Sequence, residues 1–148
     1  MSDRAESVVR DYYDALCEGD PLAPYFLEGD STVKFGLSEG LFGYADVAAA
    51  LKDQTESTAN WSVESGHLVV DEREAFATFA DEVTMAWTDA ETGENRRFET
   101  RWSGTLVRRE PDGRSDDSGG NDGSDTDGDD TVPAWRFAAM HVSTADEL

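Results

Sequence analysis

Apolar residues near the N-terminus recur with a helical period. Ala5, Val8, Val9, Tyr12, Tyr13, Leu16 and Cys17 fall on one stripe at three- and four-residue spacing, which predicts an amphipathic helix. Asp3 and Glu6 form a capping pair at its start, and Gly19 marks its end. Asp20-Pro21 then opens a short segment, Leu22 to Leu27, of one or two helical turns, with Pro21 suited to its first position. Thr32 to Gly36 reads as a short strand, and residues 36–43, with glycines at 36, 40 and 43, as a loop or tight hairpin. Tyr44 to Thr55 is expected to be helical, with Val47, Ala48 and Leu51 on one side.

Beyond this point the period shortens. Trp61 to Val70, Ala75 to Thr88 and Arg97 to Arg109 are rich in β-branched and aromatic residues separated by turn residues, and a last strand is expected from about Trp135 to Val142. Helices followed by mostly antiparallel strands imply a single α+β domain, with helices packed on one face of a sheet. Residues 110–131 break the pattern: they hold nine acidic residues, five glycines and no aliphatic or aromatic side chain. Such a segment cannot bury enough apolar area to offset its ordering entropy, and reads as a disordered acidic insertion between the last two strands. Its Asp125-Thr126-Asp127-Gly128-Asp129 run superficially resembles a calcium-binding loop. The spacing fails, with Asp130 where glycine belongs and Arg136 where a bidentate Glu is needed.

Composition narrows the function. With 33 Asp+Glu against 12 Lys+Arg the formal charge is −21 over 148 residues, which opposes nucleic acid and anionic membrane surfaces. Lysine occurs only at 34 and 52, the other positive charges being arginine. A carboxylate surplus with scarce lysine suits a protein kept soluble in concentrated salt, so much of the acidity reads as solvation. Cys17 is alone, which fits a reducing compartment. No signal-like apolar stretch precedes the first helix and no apolar run is long enough to span a membrane, so a soluble cytoplasmic protein is expected. On that reading the sequon at Asn60-Trp61-Ser62 is coincidental.

No phosphate loop, dinucleotide glycine fingerprint, His-Glu-x-x-His or cysteine pair is present, and no metal or cofactor is expected. Candidate chemistry therefore comes from strand parity. Between Ala75 and Thr88 the odd positions, including Phe79, Asp81, Val83, Met85 and Trp87, share one face. Asp81 thus points with large apolar groups, where desolvation would suit it to acid or base chemistry. A bulge that returned it to water is the plainer alternative. In the last strand His141 and Ser143 follow Trp135, Phe137 and Ala139, while Met140 and Val142 share the opposite face. His141 is then either a satisfied core histidine or a pocket acid or base. Parity in the preceding strand puts Trp102 inward and Arg101 in solvent. Tyr12 and Tyr13 read as core residues with hydroxyls at the edge of the helix layer.

Arg101-Trp102-Ser103, Arg108-Arg109 and Trp135-Arg136-Phe137-Ala138-Ala139-Met140-His141-Val142-Ser143 resemble the ending of SnoaL-like domains of the nuclear transport factor 2-like (NTF2-like) superfamily. Val33-Lys34-Phe35-Gly36 through Gly43 and the helix at Tyr44 resemble that family's first strand, loop and third helix. The resemblance implies an α+β cone in which three N-terminal helices pack on the concave face of a curved, mostly antiparallel sheet around a pocket. It places Arg101 inward against parity. It also makes Arg101, Ser143, Tyr13, Glu39 and Trp87 candidate ligand-binding residues, with Asp81 and His141 the candidate acid/base pair. The implied ligand is a small anionic or carbonyl-bearing molecule. The implied activity is binding, with an isomerase, cyclase or hydro-lyase reaction as an extension. Relatives usually pair as homodimers through the outer sheet face, so an association module is the alternative.

Overall fold

The computed structural model describes residues 4–108 and 133–146; the expected acidic insertion and Asp3 lie outside them. The first helix, α1, spans Ala5–Glu18 and ends at Gly19, whose φ of 77° supplies the left-handed turn its capping bonds require. Its buried stripe is the predicted one from Ala5 to Leu16, joined by Ala15, but Cys17 is exposed. The start differs from expectation. Arg4 is the cap residue and makes no side-chain capping bond, and the Ala5 N–H donates instead to Glu72 Oε1 at 2.8 Å.

A single 3-10 turn, Ala23–Tyr25, follows, with Pro24 rather than Pro21 in its first positions. The second helix, α2, covers Tyr44–Ser57 and buries Val47 and Leu51. There are thus two α-helices among the described residues, not three: the three residues Ala23–Tyr25 are too few to close an α-helical turn.

Among the described residues seven strands form one sheet: β1 (Val33–Phe35), β2 (Gly40–Phe42), β3 (Thr58–Ser65), β4 (Val69–Glu72), β5 (Phe76–Asp89), β6 (Asn95–Arg108) and β7 (Trp135–Thr144). The order is β2-β1-β7-β6-β5-β3, with β4 continuing beside β5 beyond β3. All pairings are antiparallel except β1 with β7. The region expected as one strand from Trp61 to Val70 is two, broken at Gly66-His67-Leu68. These three residues oppose only Asp81 and Glu82, and the Gly66 N–H donates to the Glu82 carbonyl at 2.7 Å.

A second irregularity decides which side chains face inward. Thr105 pairs with Ala139 but Leu106 pairs with Phe137, leaving Ala138 as an extra residue in β7. A one-residue bulge exchanges the two faces of every residue beyond it. Trp135 and Phe137 are buried before it, and Met140 and Val142 after it, while His141 is exposed. Space for this bulge exists because residue 104 has no side chain. A Cβ there would overlap the Ala139 carbonyl oxygen and sit 2.9 Å from the Phe79 ring.

The core lies between the concave face and the helices. Tyr12 of α1 meets Phe26, Phe137 and Trp102 edge to face at 5.2–6.4 Å, and Trp135, Phe26 and Phe137 are fully buried. Each such ring contributes about 1.5–3 kcal/mol relative to exposure. No described helix is long and apolar enough to cross a membrane.

Candidate functional site

The concave face is not filled to its wide end. A cavity of about 360 Å³ opens there, walled by the inward positions of β3, β5, β6 and β7 and by Tyr12 and Leu16 of α1. Trp61 of β3 and Trp87 of β5 stack with centroids 4.7 Å apart and planes within 20°. Phe98 of β6 lies 5.7 Å beyond Trp87, and the Arg96 guanidinium sits over Phe98, 5.5 Å from its centroid. Trp61 is held in place by donating its indole N–H to Thr58 Oγ1 at 2.7 Å.

Into this apolar space β1 delivers Lys34. Because Lys34 stands beside Met140, just past the β7 bulge, it points inward with Met140, and only 6% of it is exposed. Among the described residues its ammonium has one ion-pair partner, Glu39 Oε2 at 3.8 Å, a separation longer than a hydrogen bond. Glu39 reaches it across Gly36: a Cβ at 36 would lie 2.8 Å from the same Oε2. Burial drives the Lys34 pKa below that of an ordinary lysine, and Glu39 only partly opposes this. Burial also pushes the Tyr12 phenol far above the usual tyrosine range, so at neutral pH it is a proton donor, never a phenolate. A buried amine whose charged form is disfavoured by burial, a carboxylate beside it and a neutral phenol among aromatic walls can bind an anionic or carbonyl group and move a proton to or from it.

The expected site residues separate into three places. Glu39 and Trp87 line the cavity. Asp81 points inward as parity requires and is 4% exposed, but its carboxylate is committed elsewhere. Tyr13 donates its hydroxyl to Oδ2 at 2.9 Å, and the His67 backbone N–H donates to Oδ1 at 2.9 Å. Asp81 therefore ties α1 to the break between β3 and β4, and neither it nor Tyr13 lines the cavity. The plainer alternative is not met: β5 keeps its register with β6 through Asp81↔Trp102, and the carboxylate stays buried at the break between β3 and β4 rather than returning to water.

Arg101, His141 and Ser143 line a shallow depression on the convex face, which the buried Asp81 and Trp102 also border from within the sheet. Arg101 is exposed, as parity indicated and the family resemblance did not; Arg96, five residues earlier on the inward parity of β6, supplies the guanidinium on the concave side. His141 is neither core nor cavity residue: it lies outside, edge to face with Phe35 at 5.8 Å. Met140 and Val142, expected on the far side, are cavity walls. The β7 bulge accounts for all the β7 reversals. Lys34, Arg96 and Trp61 were not singled out from sequence. For Lys34 the pattern misleads, since Val33-Lys34-Phe35 alternation would bury its neighbours.

A helix-lined, curved sheet with a hollow wide end is a shape shared with solved structures. The chain superposes on an NTF2-like superfamily protein from Salmonella enterica serovar Typhimurium with a TM-score of 0.71 at 12% identity, over 95% of this chain and 88% of that one. A protein of Novosphingobium aromaticivorans named for scytalone dehydratase gives 0.70 at 14% identity, over 95% and 81%. The fold is NTF2-like. A protein of Xanthomonas campestris named for the calcium/calmodulin-dependent protein kinase II association domain gives 0.67 at 14%, over 97% and 86%. No protein-family model and no curated protein matches the sequence. At such identities the likeness establishes the NTF2-like architecture, while the chemistry of the cone rests on this chain's own residues.

Proposed function

We propose that this NTF2-like chain is a small-molecule receptor whose cone binds a planar anionic or carbonyl-bearing ligand, with Lys34 as its polar centre in place of Arg101 and His141. One observation carries the reading: a lysine ammonium is buried in a cavity lined mostly by aromatic and aliphatic side chains, with Glu39 as its one ion-pair partner among the described residues, at 3.8 Å. A buried amine without full hydrogen-bonding compensation destabilises the fold, and a ligand oxygen or carboxylate would offset that cost. The stacked indoles offer a flat apolar wall, and Arg96 offers a second cation. Lys34 and Glu39, with Tyr12 as neutral donor, are also a sufficient set for enolisation or water elimination next to a carbonyl, and the neighbour named for a dehydratase is consistent with that extension.

The test is ligand-induced stabilisation across a panel of carboxylates and ketones. Lys34→Met is expected to abolish the melting-temperature shifts and Arg96→Ala to reduce those of carboxylates. Arg101→Ala and His141→Ala are expected to preserve both. A panel that shifts nothing, or shifts that survive Lys34→Met, would remove the receptor reading.

A second reading, association through the convex face, is favoured by a separate observation. Val69, Ala80, Ser103, His141 and Phe35 stand side by side across β4, β5, β6, β7 and β1. Phe35 and Phe42, 40% and 63% exposed, meet edge to face at its end. A low-charge row on so acidic a protein suits a second copy of this chain. Sedimentation of wild type and Phe42→Asp tests it: a dimer that becomes monomeric supports it, and a wild-type monomer rejects it.

A further inference from the structure

We infer that Lys34 is a covalent amine, forming a reversible imine with a planar aldehyde or ketone that enters the cone. The inference rests on the receptor reading and specifies its ligand class and chemistry. Three features of the geometry support it. The amine is buried on the concave face, lines the cavity, and meets no hydrogen-bonding acceptor within 3.5 Å among the described residues. Apolar enclosure favours the uncharged, nucleophilic form of an amine. Glu39, brought across the bare Cα of Gly36 to 3.8 Å from Nζ, is placed to take the proton the nitrogen must shed and to return it to the departing oxygen. Lastly, the walls exclude bulk water from one side of the product, which protects an imine from hydrolysis.

The step balances without an oxidant or reductant. Nζ attacks the carbonyl carbon, the C–N bond forms, and the carbonyl π pair moves to oxygen. Glu39 transfers a proton from nitrogen to that oxygen, the C–O bond breaks, and water leaves. Starting from the ammonium, one of its three protons stays on the iminium nitrogen and two depart in the water. The positive charge remains next to Glu39, where the ion pair already exists.

The sequence provides an internal control, because the other lysine, Lys52, is exposed on α2 and ion-paired to Glu56 at 2.7 Å. The experiment incubates the full chain with 4-carboxybenzaldehyde and cyanoborohydride at neutral pH and maps the reduced adduct by peptide mass spectrometry. Lys34 is expected to be modified about tenfold faster than Lys52 or the α-amino group. Modification of Lys52 or the α-amino group at an equal or greater rate, or an unmodified Lys34, overturns the inference. Mapping is done on the wild type, so no variant has to fold; Lys34→Met, checked by circular dichroism, is expected to lose that adduct alone. Quenching of tryptophan fluorescence by 4-(hydroxymethyl)benzoate, which has no carbonyl to trap, separates the two levels of the argument. Quenching without a Lys34 adduct rejects the imine and leaves the receptor; neither quenching nor adduct rejects both.

Discussion

The two faces of the sheet carry similar inventories of functional groups in opposite settings. On the concave face two cations, Lys34 and Arg96, line a mostly apolar cavity, and Lys34 is buried there with one carboxylate near it; on the convex face Arg101 and His141 stand in water beside serines and exposed carboxylates. A charge on the outer face is stabilised by solvent and is worth little to any single partner. The same charge inside costs stability until something binds it, and that stored cost is what a ligand can release. Which residues have functional potential is therefore decided by face, not by residue type.

The strongest way to break this division is to remove the device that creates it. Gly104→Val places two methyls against the Ala139 carbonyl and the Phe79 ring and should destabilise the protein by about 3 kcal/mol or more, read by urea denaturation. Next in size is Asp81→Ala. It leaves the Tyr13 hydroxyl and the His67 N–H without their acceptor and should cost about 2–4 kcal/mol. Tyr13→Phe should cost about 1 kcal/mol. Neither variant, once folded, should alter ligand shifts, since both residues lie outside the cavity lining.

Lys34→Met acts in the opposite direction. It should raise stability at neutral pH by about 0.5–2 kcal/mol while abolishing ligand response. The sign follows from burial: folding lowers the Lys34 pKa from its ordinary 10.5, so the folded state binds the proton less well than the unfolded chain. The wild type consequently recovers stability as pH rises through the folded value toward 10.5, and the variant's advantage shrinks over that window. Tyr12 and Tyr13 oppose this at the alkaline end. Their folded pKa values are raised, so their contribution is complete below the ordinary value of 10 and falls as pH rises above it. Denaturation midpoints for wild type and Lys34→Met between pH 6 and 11 check both signs. The smallest expected effects are those of Arg101→Ala and His141→Ala, within about 0.5 kcal/mol in stability and without effect on cavity binding.

Strand parity was a sound guide wherever pairing is regular. Through β5 and β6, whose register runs unbroken from Phe76↔Val107 to Thr88↔Asn95, alternation alone placed Asp81 and Trp102 inside and Arg101 outside. It failed in β7, because Phe137-Ala138-Ala139-Met140 carries no residue that marks a bulge, and one extra alanine reverses His141, Ser143, Met140 and Val142 together. The error at Lys34 has the same origin: β1 is too short to set its own facing and inherits it from β7 beside it. Asp81 shows the converse, since its direction was readable but its partners were not. Tyr13 is 68 residues away in sequence and His67 fourteen, and no local pattern brings them together.

The sequence by itself determined the element types, the helical stripe that closes the cone and the facing of the long paired strands, because these depend on periodicity and on neighbours a few residues apart. Tertiary structure decided where a bulge falls, what lies beside a three-residue strand, and hence that the Lys34 ammonium, rather than Arg101 or His141, occupies the hollow. Those outcomes depend on register between segments far apart in sequence, Thr105 with Ala139 and Lys34 with Met140, which is fixed only when the core packs.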